Sequence, residues 1–164
     1  MRVVVADTGP LNYLVLIGAI DLIPKLFGRV LIPEVVRAEL CHPGAPPLVR
    51  DWANRLPEWV DVRDVSSSEI MDPALTTLDD GEAAALALVR SVGADLVLMD
   101  DRAGAAVAKR EGFAVTGTLG VLALAARHGF IDLAEAFGRL KATNFRYRPE
   151  ILDTLLARHV APKR

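Results

Sequence analysis

Val3-Val4-Val5-Ala6-Asp7-Thr8-Gly9-Pro10 joins an unbroken apolar run to a carboxylate and then to a turn. A run of this kind, closed by Gly and Pro, reads as a buried strand. Asp7 then stands at the carboxyl end of that strand, the edge where open α/β sheets place their chemistry.

The same unit, a short apolar strand followed by an amphipathic helix, recurs along the chain without an internal repeat or low-complexity tract. Pro10 occupies the first turn of a helix through about Ile17, with Leu11, Leu14, Val15 and Ile17 as its apolar face, and Gly18 breaks it. Val30-Leu31-Ile32 forms the next strand, Pro33 opens a helix to about Cys41, and His42-Pro43-Gly44 ends it. Pro47 to Arg55 predicts a further short helix, Val60 to Val62 a strand near one sheet edge, and Arg63 to Thr77 a loop with one turn of helix. Gly81 to Val92 is an alanine-rich helix capped by Asp79 or Asp80. The strand Leu96 to Met99, a helix from Asp101 or Arg102 to Glu111, the strand Ala114-Val115-Thr116 and a helix from about Leu119 to His128 follow. Helices near Asp132 to Lys141 and Pro149 to His159 complete the pattern. The alternation predicts an α/β fold with a parallel sheet, in one domain spanning 1–164 with carboxy-terminal helices from about 132.

Composition narrows the function classes. A length of 164 residues suits one domain with a substantial core, and 52% hydrophobic with 5% aromatic residues describes an aliphatic interior. The net charge of -2 provides no global basic field, so a polyanionic partner must be held by a local basic patch or through metal ions. Cys41 is the only cysteine, which excludes a disulfide framework and a multi-thiolate zinc site and leaves a small buried hydrophobe as its role. No charged leader with a cleavable apolar segment is legible, and no apolar run approaches the ~18 residues of a membrane span. The expectation is a cytoplasmic protein without membrane association.

Acidic positions recur at comparable edges: Asp7, Glu39, Glu82 and the pair Asp100-Asp101. Each has a local alternative. Asp7 can cap the helix containing Pro10, Glu39 can sit on a solvated helix border, and Asp79 with Glu82 resembles a capping box. Asp100 or Asp101 can cap the next helix, but one cap needs only one carboxylate. The surplus charge is what local structure does not require, since like charges brought together are unfavourable unless a cation or protons neutralise them. Mg²⁺ and Mn²⁺ favour such hard oxygen ligands, and carboxylates from four segments suit phosphodiester hydrolysis. His42, His128 and His159 lack ligand spacing and read as surface or loop residues.

Four stretches then carry a family resemblance: Val-Val-Ala-Asp-Thr-Gly-Pro-Leu at 4–11, Ile-Pro-Glu-Val-Val-Arg-Ala-Glu-Leu at 32–40, Leu-Asp-Asp-Gly-Glu-Ala-Ala-Ala-Leu-Ala-Leu at 78–88 and Leu-Met-Asp-Asp-Arg at 98–102. In order and spacing they resemble a PIN domain. Gly-Thr-Leu-Gly-Val-Leu at 117–122, Ala-Arg-His-Gly-Phe-Ile at 126–131 and Asn-Phe-Arg-Tyr at 144–147 extend the resemblance to a prokaryotic branch related to VapC-type toxins. It implies a three-layer α/β/α fold with a parallel sheet of about five strands. It also implies a Mg²⁺- or Mn²⁺-dependent endoribonuclease in which water cleaves the phosphodiester, leaving a 5′ phosphate and a 3′ hydroxyl. Asp7 corresponds to the first-strand acid, Glu39 to the helix acid, Glu82 to the third acid and Asp101 to the fourth, with Asp100 sharing or replacing that last role.

Two departures stand out. Gly81-Glu82 replaces an Asp in a less glycine-rich context, and Met99-Asp100 replaces a Thr before the fourth acidic segment. Thr8, Thr116, Thr118 and Arg102 are candidate contacts to substrate, with helix capping the local alternative for Thr118. Lys109, Arg110 and the stretch Phe145-Arg146-Tyr147-Arg148 supply charge and rings able to meet phosphates and bases, or else a solvated face and packed loop. The resemblance also implies an RNA substrate, a small antitoxin as partner and a homodimer, for which the apolar face near Leu11 to Ile17 and the closing helices offer surface. The alternative is a PIN-fold binding or regulatory module without turnover. A haloacid-dehalogenase-like phosphatase is disfavoured because Gly9 stands where its second Asp belongs, and a dinucleotide fold because Gly117-Thr118-Leu119-Gly120 is too short for the fingerprint.

Overall fold

Val4 and Ala6 pack on one side of the sheet and Val5 on the other, all three at most 1% exposed. A strand covered on both faces has no use for polar alternation, which is why its sequence is uniformly apolar. The computed structural model describes residues 2–160, so both ends of the expected 1–164 span lie outside the described residues.

In chain order the elements are β1 (Val4–Ala6), α1 (Thr8–Leu16), α2 (Leu22–Phe27), β2 (Val30–Pro33), α3 (Glu34–Leu40), α4 (Pro47–Asn54), β3 (Val60–Arg63) and α5 (Ser67–Ile70). They continue with α6 (Asp80–Val92), β4 (Leu96–Leu98), α7 (Arg102–Arg110), β5 (Ala114–Thr116), α8 (Thr118–Arg127), α9 (Leu133–Lys141) and α10 (Pro149–Val160). The sheet runs β3-β2-β1-β4-β5 with every pair parallel. Helices cover both faces, giving the three-layer α/β/α architecture.

Two apolar cores result. Val4, Ala6, Ile32 and Leu98 meet Leu11, Leu14, Leu122 and Phe137 on one face, while Val5, Val97 and Met99 meet Ala85, Leu86, Val89 and Val107 on the other. The chain lays β2 and β3 to one side of β1 and then returns to place β4 and β5 on the other. That reversal opens a crevice at the carboxyl ends of β1 and β4, with Ala6 paired to Leu98 at its floor.

Several sequence expectations are corrected. Between Gly18 and Val30, where the sequence reading assigns no element, lies α2, a six-residue helix with Asp21 at its amino end and Gly28, at positive φ, at its carboxyl end. Pro33 is the extended cap of α3 and the last residue of β2, not the first helical residue. Leu11, Leu14 and Ile17 are buried within the chain itself, because α1 packs against α3, α4 and α8, so they present no apolar face to a second copy. Cys41 is half-buried against the core. Among the described residues no helix is long and apolar enough to cross a membrane.

Candidate active site

β1 ends by placing Asp7 in the crevice, its amide donating to the Leu98 carbonyl at 2.9 Å. The residue holds the N-cap position of α1 with extended backbone, yet its side chain makes no capping hydrogen bond. Helix capping therefore leaves this carboxylate available. Only 5% of Asp7 is exposed. Burial pushes its pKa up to about 7, opposed by the Thr8 amide and reinforced by the charges of Glu39, Asp79 and Asp100.

The Asp100-Asp101 pair divides its duties. Asp101 caps α7, accepting the Gly104 amide at 2.8 Å. Asp100, freed from that role, turns into the crevice, where the Thr118 amide donates to Oδ1 at 2.7 Å and the Thr118 hydroxyl to Oδ2 at 2.6 Å. A Cβ at Gly117 would stand 2.6 Å from its Oδ1, and one at Gly9 3.2 Å from its Oδ2, so the two glycines make the slot that admits it. Burial raises the Asp100 pKa and the Thr118 hydrogen bonds lower it in part.

Glu39, in the last turn of α3, accepts a hydrogen bond from the Thr8 hydroxyl across 31 residues of sequence. Its carboxylate lies directly over Gly81, where a Cβ would come within 2.5 Å of Oε1 and 2.6 Å of Oε2. Asp79 caps α6, accepting the Glu82 amide at 3.0 Å. The Glu82 carboxyl is pushed up to about 8 by partial burial first, then by Asp79, Asp101 and Asp7. The mutual fields of these groups draw Asp7, Glu39, Asp79, Glu82, Asp100 and Asp101 into one electrostatic cluster. Asp79 was legible in sequence only as a cap; its second role comes from where α6 docks.

The four further candidates fall into three situations. The hydroxyls of Thr8 and Thr118 are directed at Glu39 and Asp100, and Thr118 is fully buried, so both position acids. Thr118 is the first residue of α8 rather than its cap, a place held by Gly117. Thr116 ends the edge strand β5 with its methyl group packed at Gly120 and its carbonyl accepting the Met99 amide at 3.0 Å. Arg102 lines a groove of about 900 Å³ that runs from Asp100 and Asp101 past Lys109 to Phe145, Arg146, Tyr147 and Arg148.

Tyr13 was not singled out by sequence. Its hydroxyl donates to Asn144 Oδ1 at 3.0 Å and its ring meets Phe145 edge-on at 4.9 Å, which ties the loop before α10 to α1. Burial raises its pKa, as does Asp100, while Arg146 lowers it.

Among the described residues no three acidic, histidine or cysteine side chains converge closely enough to grip one ion in their present orientations. The reason is visible in their partners, since Glu39, Asp100 and Asp101 are each turned to a protein donor. As chemistry, the donor set still fits a hard divalent cation: it is all oxygen, no histidine intrudes, and burial raises the pKa values of Asp7, Glu82 and Asp100, with neighbouring carboxylates adding to the rise at Asp7 and Glu82.

Compared with known families, residues 3–160 match the one described as DUF3368, PIN domain. No curated protein and no solved structure matches the chain significantly.

Proposed function

Because the chain belongs to the PIN domain family, whose members are generally nucleases, we propose that it is a Mg²⁺- or Mn²⁺-dependent endoribonuclease. The observation that carries this reading is the gathering of six carboxylates from β1, α3, α6 and the β4–α7 junction at the sheet's switch point, beside a groove lined by cations.

Asp7, Glu39, Glu82 and Asp100 or Asp101 would hold the cation, with Asp79 adding field. When bound, the ion supplies charge neutralisation for a phosphodiester and acidifies water near neutral pH. Asp7 and Glu82, with pKa values of about 7 and 8, carry protons that they release as positive charge enters. Thr8 and Thr118 hold Glu39 and Asp100 at the edge of the crevice, and both carboxylates would turn from these donors toward the ion as it binds. Hydrolysis then leaves a 5′ phosphate and a 3′ hydroxyl without a covalent enzyme intermediate. Purified protein should cleave unstructured RNA with Mn²⁺ and not with EDTA, and Asp7→Asn should abolish that cleavage while remaining folded. Retained cleavage by D7N would refute the assignment.

One observation favours a second reading, a PIN-fold binding or regulatory module without turnover: Glu39, Asp100 and Asp101 already have protein donors. Titration with Mn²⁺ beside the cleavage assay separates the two, because an idle module shows no metal-dependent product. A small antitoxin and a homodimer complete the proposal, checked by co-purification with the neighbouring reading frame's product and by light scattering.

A further inference from the structure

Four arginines of the described residues are neutralised by carboxylates: Arg29 by Asp61, Arg37 by Glu34, Arg90 by Asp72 and Glu111, Arg139 by Glu135. Along the groove beside the acids, cations without such partners line up together. Arg102, Lys109, Arg146 and Arg148 are exposed and form no ion pair among the described residues, although Asp100 and Asp101 open into the same space. A row of unpaired cations keeps its charge for an external anion, and phosphates spaced along a strand suit a row better than a single anion does.

The same wall offers a ring. Tyr147 is 36% exposed and lies between Arg146 and Arg148, with Ile151, 44% exposed, in the first turn of α10. Phe145, also in the groove wall, meets Tyr13 edge-on, and the Tyr13 hydroxyl donates to Asn144. The loop is thus fastened from within while its charged and aromatic side chains face the groove.

Resting on the nuclease reading, we propose that this groove seats the nucleic-acid strand flanking the cleaved bond, with Arg102, Lys109, Arg146 and Arg148 on its phosphates and Tyr147 stacked on an unpaired base. Charge complementarity selects a polyanion, and continuity with Asp100 and Asp101 directs that strand to the acids. The ring selects single over double strand, because paired bases in a duplex already have both faces stacked.

Binding is measured by fluorescence anisotropy in EDTA with a labelled, unstructured RNA of about 10 nucleotides and with its duplex. The single strand should bind more tightly. Tyr147→Ala should weaken it about 5- to 150-fold and Tyr147→Phe should restore it. The double variant Arg146→Ala/Arg148→Ala should lower the slope of log affinity against log salt by about 1.4. Thermal melts verify that these surface variants fold. Single-strand binding unaffected by Tyr147→Ala, a duplex bound equally well, or RNA displaced as effectively by polyglutamate would overturn the groove, the last pointing to an acidic protein segment instead. Cleavage in Mn²⁺ is a separate arm. Tyr147-dependent binding without cleavage by the wild type removes the nuclease reading and keeps the groove, whereas cleavage with Tyr147-independent binding does the reverse.

Discussion

Gly81 and Glu39 compete for one volume: a methyl group at position 81 would stand 2.5 and 2.6 Å from the two Glu39 carboxylate oxygens. The glycine that departs from the usual third-acid context therefore has a purpose, since it lets the long glutamate of α3 lie across the first turn of α6. Gly81→Ala should leave the fold intact or strengthen it by up to about 1 kcal/mol, because alanine favours helix and the obstructed group is the end of a flexible side chain. Mn²⁺ affinity should fall at least tenfold as Glu39 is pushed off Thr8. Calorimetric titration with thermal melts checks both halves, and unchanged Mn²⁺ affinity would remove Glu39 from the site.

Asp7 makes stability fall as pH rises. Its folded pKa is about 7 against an ordinary 3.8, so between these values the native state holds a proton that the unfolded chain has lost. The contribution is fully present below pH 4 and is gone above about pH 7. In EDTA, Asp7→Asn should be more stable than wild type at pH 8 by up to about 4 kcal/mol, the gap closing toward pH 4. Urea unfolding at several pH values provides the measurement, and parallel curves would show that Asp7 is not held near neutrality. Adding Mn²⁺ at pH 8 should stabilise the wild type and leave D7N unchanged.

Thr118→Val keeps the shape and the backbone donor but removes the hydroxyl bond to Asp100 Oδ2. The loss should destabilise by about 1–3 kcal/mol. Because that bond holds the Asp100 pKa down, its removal lets burial raise the carboxyl further, so the destabilisation grows with pH and the acidic limb of any cleavage profile moves upward. Thr118→Ser should recover most of both effects. A pH profile identical to wild type would mean the hydroxyl has no hold on Asp100.

Most of the fold is legible along the chain because strand and helix periodicities are local and the strands, buried on both faces, are uniformly apolar. What escapes is governed by docking. α2 is a short apolar turn with Pro24 inside it, and nothing in six residues distinguishes it from a loop until its Leu22, Ile23 and Phe27 find the core. Burial of Leu11 and Leu14 likewise depends on α3, α4 and α8 arriving around α1. The site divides the same way. Asp101 to Gly104 has the spacing of an N-cap and its third helical residue, so its capping role could be read locally. The bonds from Thr8 to Glu39 and from Thr118 to Asp100, and the second role of Asp79, are tertiary and leave no local pattern.

The seam between β1 and β4 divides the acids by ancestry within the chain: Asp7 and Glu39 belong to the half before α5, and Asp79, Glu82, Asp100 and Asp101 to the half after it. Neither half alone owns a complete crevice. Severing the polypeptide in the surface stretch near Pro73 would leave β1, β2 and β3 on one fragment and β4 and β5 on the other, so the crevice exists only where the sheet has zipped together again across that seam.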